Sequence, residues 1–115
     1  MESYMNRISN TGIVPVVKIL EKEDAYPLAK ALLNGGIDVI EVTYRSEHAT
    51  SAIQTISEQL PDMLVGAGTV LSVEQAKEAV EAGAKFIITP GFNTRVVQWC
   101  LDHDVEVYPG VSTAS

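Results

Sequence analysis

The chain has 115 residues, 46% of them hydrophobic and 20% charged, and no apolar run approaches the about 20 residues a membrane-spanning helix needs. Its formal net charge of -7 opposes non-specific binding to nucleic acid, which requires a basic surface. Residues 1–10 are polar and do not read as a signal peptide, and the single cysteine, Cys100, excludes an internal disulfide, so a globular cytoplasmic protein is expected.

The pattern allows a short helix over residues 2–9. Short apolar runs ending in small or special residues follow at 12–18, 39–45, 64–70, 86–91 and 105–110, with starts 19 to 27 residues apart. Helical patterns fill the gaps. In residues 23–34, Ala25, Leu28, Ala29, Leu32 and Leu33 keep helical spacing, and Gly35-Gly36 supplies a stop. Ser46 is expected to open a second helix that Pro61 closes. Ser72 and Gln75 form the signature of a capping box for a third, running through Ala76, Ala79 and Val80 to Gly83. Asn93 is expected to cap a fourth, carrying Val96, Val97, Cys100 and Leu101. Strands alternating with helices of this length imply βαβ units, right-handed crossovers and a parallel sheet.

Length bears on which parallel fold this is. A closed (β/α)8 barrel takes roughly 200 to 250 residues, whereas a doubly wound five-stranded domain fits into about 100 to 150. The last residue, Ser115, falls just past the fifth apolar run, with no helix to cover the sheet and an edge left bare. The expectation is one incomplete domain over residues 1–115.

Glu41, Thr43 and Arg45 alternate at the end of the second run, so a strand there would aim an acid, a hydroxyl and a cation to one face. A carboxylate facing an apolar interior costs several kcal/mol unless it is paired or used. An internal Glu41–Arg45 pair is one reading; a catalytic group where a strand meets its loop is the other, and the one adopted. Gly66 and Gly68 either let a ligand approach the backbone or mark a bulge or tight packing. His48 and His103 have no partner at metal-ligand spacing, so no metal site is expected and both are read as surface histidines on helices. Cys100 is read as a core filler, and Phe92 and Trp99 as packing residues. Gly66-Ala-Gly68 lacks the third glycine of a dinucleotide fingerprint, and no cofactor is expected.

The strings Val-Ile-Glu-Val-Thr-Tyr-Arg ending at Arg45, Val-Gly-Ala-Gly-Thr-Val ending at Val70, Ile-Thr-Pro-Gly ending at Gly91 and Tyr-Pro-Gly-Val-Ser-Thr from Tyr108 occur in this order. Together they resemble the 2-keto-3-deoxy-6-phosphogluconate (KDPG) and 4-hydroxy-2-oxoglutarate (KHG) aldolases, over about the first half of that family's chain. The resemblance implies a TIM (β/α)8 barrel, represented here by its first five strands. It also implies a trimeric enzyme that splits a 2-keto-4-hydroxy acid into pyruvate and an aldehyde through a lysine Schiff base. Its partners would be small keto acids, pyruvate and a phosphorylated sugar acid.

By the same resemblance, Glu41 is the general acid/base, Arg45 and Thr69 hold the pyruvate carboxylate, and Pro90 shapes the pocket wall. Thr89 stands where many relatives carry serine. The Schiff-base lysine has no counterpart, because it lies on a sixth strand in a Lys-Phe-Phe-Pro-like motif beyond Ser115. Of Lys18, Lys22, Lys30, Lys77 and Lys85, only Lys18 ends a strand on the active side. It is read as a phosphate contact, a solvated lysine being the alternative. A catalytically inactive 115-residue chain is therefore expected. A half-barrel or flavodoxin-like module that binds or assembles without catalysis is the alternative.

Overall fold

The computed structural model describes residues 14–110, so the expected helix over 2–9 lies outside the described residues. Five strands form one sheet: β1 (Val16–Val17), β2 (Val39–Thr43), β3 (Leu64–Gly68), β4 (Phe86–Pro90) and β5 (Glu106–Gly110). A 3₁₀ turn at Lys22–Asp24 leads into α1 (Ala25–Asn34), and α2 (Ala49–Gln59), α3 (Val73–Ala82) and α4 (Thr94–Asp102) follow.

The strands are all parallel and stand in sequential order, β1-β2-β3-β4-β5. A flavodoxin-like sheet reverses its winding after the first strands and puts helices on both faces. Here the winding never reverses, so every right-handed crossover lays its helix on the same side. The flavodoxin-like alternative is thereby ruled out, and the arrangement is that of consecutive βα units of a barrel.

The two faces carry different residues. Ile40, Val42, Val65, Ala67 and Ile87 point outward and pack with Ala29, Ala52, Ile53, Ile56, Ala76, Ala79, Val96 and Cys100 of the helices. Truncating one of these, such as Ile53 to alanine, should cost about 2–5 kcal/mol. The inward face holds a second cluster of Val39, Leu64 and Phe86, with Val14, Ile88 and Tyr108 against it. The residues between and above them on this face form the site.

Local chemistry sets most helix ends. Ser72 Oγ accepts from Gln75 N at 3.1 Å, while the Gln75 side chain accepts from Leu71 N at 2.8 Å, one residue before the position an ideal capping box would use. Asn93 Oδ1 accepts from Val96 N at 3.3 Å. Gly36 and Gly83 take φ of 91° and 120° just past α1 and α3, a conformation that favours glycine. One expectation needs correction: the second helix starts after His48, not at Ser46.

Candidate active site

Glu41 sits in the middle of β2, paired with Val16 on one side and Gly66 on the other, and Thr43 pairs with Gly68. Glu41 and Thr43 are buried, with 8% and 4% exposure. The glutamate side chain leans toward the strand's carboxyl end. A Cβ added at Gly68 would collide with Glu41 Oε2, come within 2.8 Å of Glu41 Cδ and within 3.2 Å of Ile88 Cβ. Gly68 thus leaves the space that the carboxyl group occupies.

Gly66 is filled differently. A Cβ there would overlap the Phe86 ring, which lies across the backbone of the residue paired with Glu41. Both glycines thus fit the tight-packing reading, Gly66 making room for the Phe86 ring and Gly68 for the Glu41 carboxyl.

Burial pushes the Glu41 carboxyl above the usual glutamate range, and the positive charge of Arg45 pulls it back by less. Arg45 is exposed and stands in the turn after β2, two residues beyond the last strand residue, Thr43, rather than on the strand with it. Among the described residues no ion pair joins Glu41 and Arg45 directly, so the buried acid is not neutralised by a partner in contact. Desolvation without direct pairing raises a carboxyl's hold on its proton, the direction a group that both gives and takes a proton needs.

Hydrogen bonds stitch the loops at the carboxyl ends of the strands into one rim. Ser46 Oγ donates to Ile19 O, joining the loop after β1 to the loop after β2. Ser46 is spent on this long-range bond, with its oxygen also accepting from His48 N at 3.0 Å, which explains why it does not cap α2. Tyr44 N donates to Gly68 O at 2.7 Å, joining the second loop to the end of β3. Val70 N donates to Ile88 O at 2.9 Å, and Thr89 Oγ1 donates to Val70 O at 2.7 Å. Asn93 donates from Nδ2 to Leu71 O at 2.8 Å and from its backbone to Pro90 O at 2.9 Å.

These bonds put the remaining candidates on one rim. Lys18 adjoins Ile19, Arg45 lies between Tyr44 and Ser46, Thr69 lies between Gly68 and Val70, and Pro90 ends β4. Lys18 is exposed, and Thr69 and Pro90 are half-buried. Thr89, by contrast, is fully buried and used for the bond to Val70. Lys22, Lys30 and Lys77 lie in helical segments and Lys85 precedes β4 at the opposite end, so Lys18 is the lysine of the rim among the described residues.

Several other residues stand apart from the site. Cys100 is fully buried in the helical layer, where burial pushes its thiol up to about 11. His48 and His103 flank helices rather than lying within them, and His103 stacks on Trp99 with ring centroids 4.3 Å apart. Phe92 corrects the packing expectation, being 85% exposed beyond β4. Among the described residues no group of three His, Cys, Asp or Glu side chains is placed to hold a metal ion.

A singly wound parallel βα sheet, with a buried acid and a cationic rim at the carboxyl ends of its strands, has the layout of a barrel enzyme. The family model described as KDPG and KHG aldolase matches residues 4–115, and the chain belongs to that family. It is 47% identical over 115 residues to the 2-dehydro-3-deoxy-phosphogluconate aldolase of Treponema pallidum, covering all of this chain and 55% of that protein. Against the KHG/KDPG aldolase of Escherichia coli strain K12 the identity is 44% over 109 residues, covering 94% and 51%. The crystal structure of KDPG aldolase from Legionella pneumophila, with pyruvate captured at low pH as a covalent carbinolamine intermediate, superposes with a TM-score of 0.80. Identity to it is 42%, covering 88% of this chain and 49% of that one. The chain thus spans about half the length of the curated relatives it matches.

Proposed function

We propose that these residues form the proton-transfer and carboxylate-binding part of a class I aldolase. The enzyme would cleave a 2-keto-4-hydroxy acid, such as 2-keto-3-deoxy-6-phosphogluconate, into pyruvate and glyceraldehyde 3-phosphate. The observation that carries the reading is the Glu41 carboxyl, buried over Gly68 and in no direct ion pair with Arg45, below a rim that holds that arginine.

In this reading a lysine amine adds to the substrate's C2 carbonyl, and protonated Glu41 gives its proton to the carbinolamine hydroxyl, which leaves as water. The Glu41 carboxylate then takes the proton of the C4 hydroxyl. The C3–C4 bond breaks, its electrons form the enamine, and the aldehyde departs. Glu41 returns the proton to C3, and water releases pyruvate from the iminium. One carboxyl serves every transfer if its proton affinity lies near the working pH.

Arg45 offers a planar fork of donors for the pyruvate carboxylate, Thr69 adds a hydroxyl, Pro90 bounds the pocket, and Lys18 meets the substrate phosphate as a point charge. The nucleophilic lysine is not among these 115 residues, and a polypeptide of these residues alone is expected not to turn over. The reading carries with it a cytoplasmic homo-oligomer, trimeric as in the family it resembles.

The test is to incubate the protein with pyruvate, reduce with borohydride, and map the adduct. Protein from the complete gene should gain one reduced pyruvate on a lysine outside residues 1–115, and the 115-residue polypeptide none. An adduct on Lys18 would overturn the assignment of that residue, and no adduct on either protein would overturn the Schiff-base reading.

A further inference from the structure

The inward face beneath Glu41 is apolar, and one residue dominates it. In the register, Glu41 pairs with Gly66 and Gly66 pairs with Phe86, so the three side-chain positions stand in one row across β2, β3 and β4. The middle position has no side chain, and the Phe86 ring lies over it. Phe86 is 1% exposed and clusters with Val39 and Leu64, the residues one step below Glu41 on the same face. The ring is itself held from the next strand. Tyr108 packs against it with centroids 6.1 Å apart and planes tilted by 55°, and the Tyr108 hydroxyl donates to Glu106.

We infer that Phe86 is a positioning residue for Glu41: its ring, laid across Gly66, walls the carboxyl from water on the floor side and sets how tightly it holds its proton. The groups around the carboxyl support this. On its own strand and turn, Thr43 lies above it and Arg45 is the cation, which lowers its proton affinity. The facing positions Val16 of β1, Gly66 and Gly68 of β3, and Phe86 and Ile88 of β4 carry no charge. Glu106 and Tyr108 lie beyond the ring on β5. Loss of water is the largest influence raising the Glu41 proton affinity, and the floor is built from apolar side chains, of which Phe86 is the largest. Tyr108 and Glu106 act one step removed, by keeping the ring in place.

The inference deepens the proton-transfer role given to Glu41 and rests on that reading. Its test reads the carboxyl itself. Protein from the complete gene, labelled with 13C at glutamate carboxyls and assigned through E41Q, is titrated by NMR as parent, F86A, F86L and G66A. In F86A the Glu41 midpoint should fall toward that of an ordinary glutamate, and in F86L it should fall by less. G66A keeps the ring but adds a Cβ where the ring lies, so its midpoint should also fall. Where the pH profile of kcat/KM can be recorded, its Glu41 limb should move with the NMR midpoint. An unchanged midpoint in F86L and G66A, with native far-UV circular dichroism, would overturn the inference even if F86A fails to fold. A lowered midpoint in a protein without aldolase activity would instead overturn the functional reading and leave the role of Phe86 standing.

Discussion

The carboxyl group of Glu41 occupies the space that a side chain at Gly68 would need, although the two lie on neighbouring strands and Glu41 pairs in register with Gly66. The acid therefore leans two residues toward the active end, and a glycine at that spot is what allows it. Substituting Gly68 with alanine should displace the carboxyl. The backbone φ of Gly68 lies outside the left-handed region, so the cost is steric, about 1–3 kcal/mol by urea unfolding. Aldolase activity should fall far more than stability does.

Glu41 also makes stability depend on pH. Its folded-state carboxyl holds a proton more tightly than the ordinary value of 4.5, so above that value the folded protein binds more protons than the unfolded chain. Stability contributed at this site therefore falls as pH rises from 4.5 through the raised folded value. Glu41→Gln removes that loss. Urea midpoints at pH 4 and pH 7.5 should show the variant gaining on the parent at the higher pH.

Arg45 is exposed, so Arg45→Ala should change stability by no more than about 0.5 kcal/mol. Losing a charged hydrogen-bonding partner is worth about 1.5–3 kcal/mol, so pyruvate affinity should fall roughly ten- to a hundredfold. Isothermal titration with pyruvate, alongside thermal melting, separates the two effects. Removing the cation should also raise the proton affinity of Glu41.

Asn93 ties three elements, accepting from Val96 N at the start of α4 and donating to Leu71 O and Pro90 O. Asn93→Ala should cost about 1–2 kcal/mol, at the upper end of a helix cap, because the cross-loop bond goes with it. Chemical denaturation measures this. KM for the keto acid should rise as well, since the loop after Thr69 loses the side-chain bond at Leu71 O, while the backbone bond from residue 93 to Pro90 O remains.

Cys100 is fully buried, and its thiol is pushed up to about 11, so little thiolate exists at pH 8. A chromogenic disulfide reagent should react with the native protein only at the rate of opening, and at once in urea.

What the sequence made legible was local. Ser72, Gly36, Gly83 and the cap that Asn93 gives Val96 act through neighbours within a few residues, and their chemistry could be read without a fold. The strand carrying Glu41 was readable from its apolar run. Partners distant in sequence were not. Ser46 looked like a helix start until Ile19 O, 27 residues earlier, claimed its hydroxyl. Gly66 and Gly68 looked alike, and only the side-chain geometry shows that the Phe86 ring fills the space over one and the Glu41 carboxyl the space over the other. Phe86 gave no signal beyond an apolar strand residue, because its importance comes from the row it shares with Glu41. Arg45 kept the alternate spacing of a strand, but the strand ends at Thr43 and the arginine stands exposed in the turn beyond it.

The central claim is that Glu41 carries the proton to and from the pyruvate methyl carbon. It is tested most directly by following exchange of the pyruvate methyl protons in D2O by NMR, with parent and Glu41→Gln protein from the complete gene. Steady exchange is predicted with the parent and a loss of about 10²–10⁴-fold in the variant, with borohydride trapping slowed too, because Glu41 also protonates the departing carbinolamine hydroxyl. Exchange at the parent rate in the variant would contradict it.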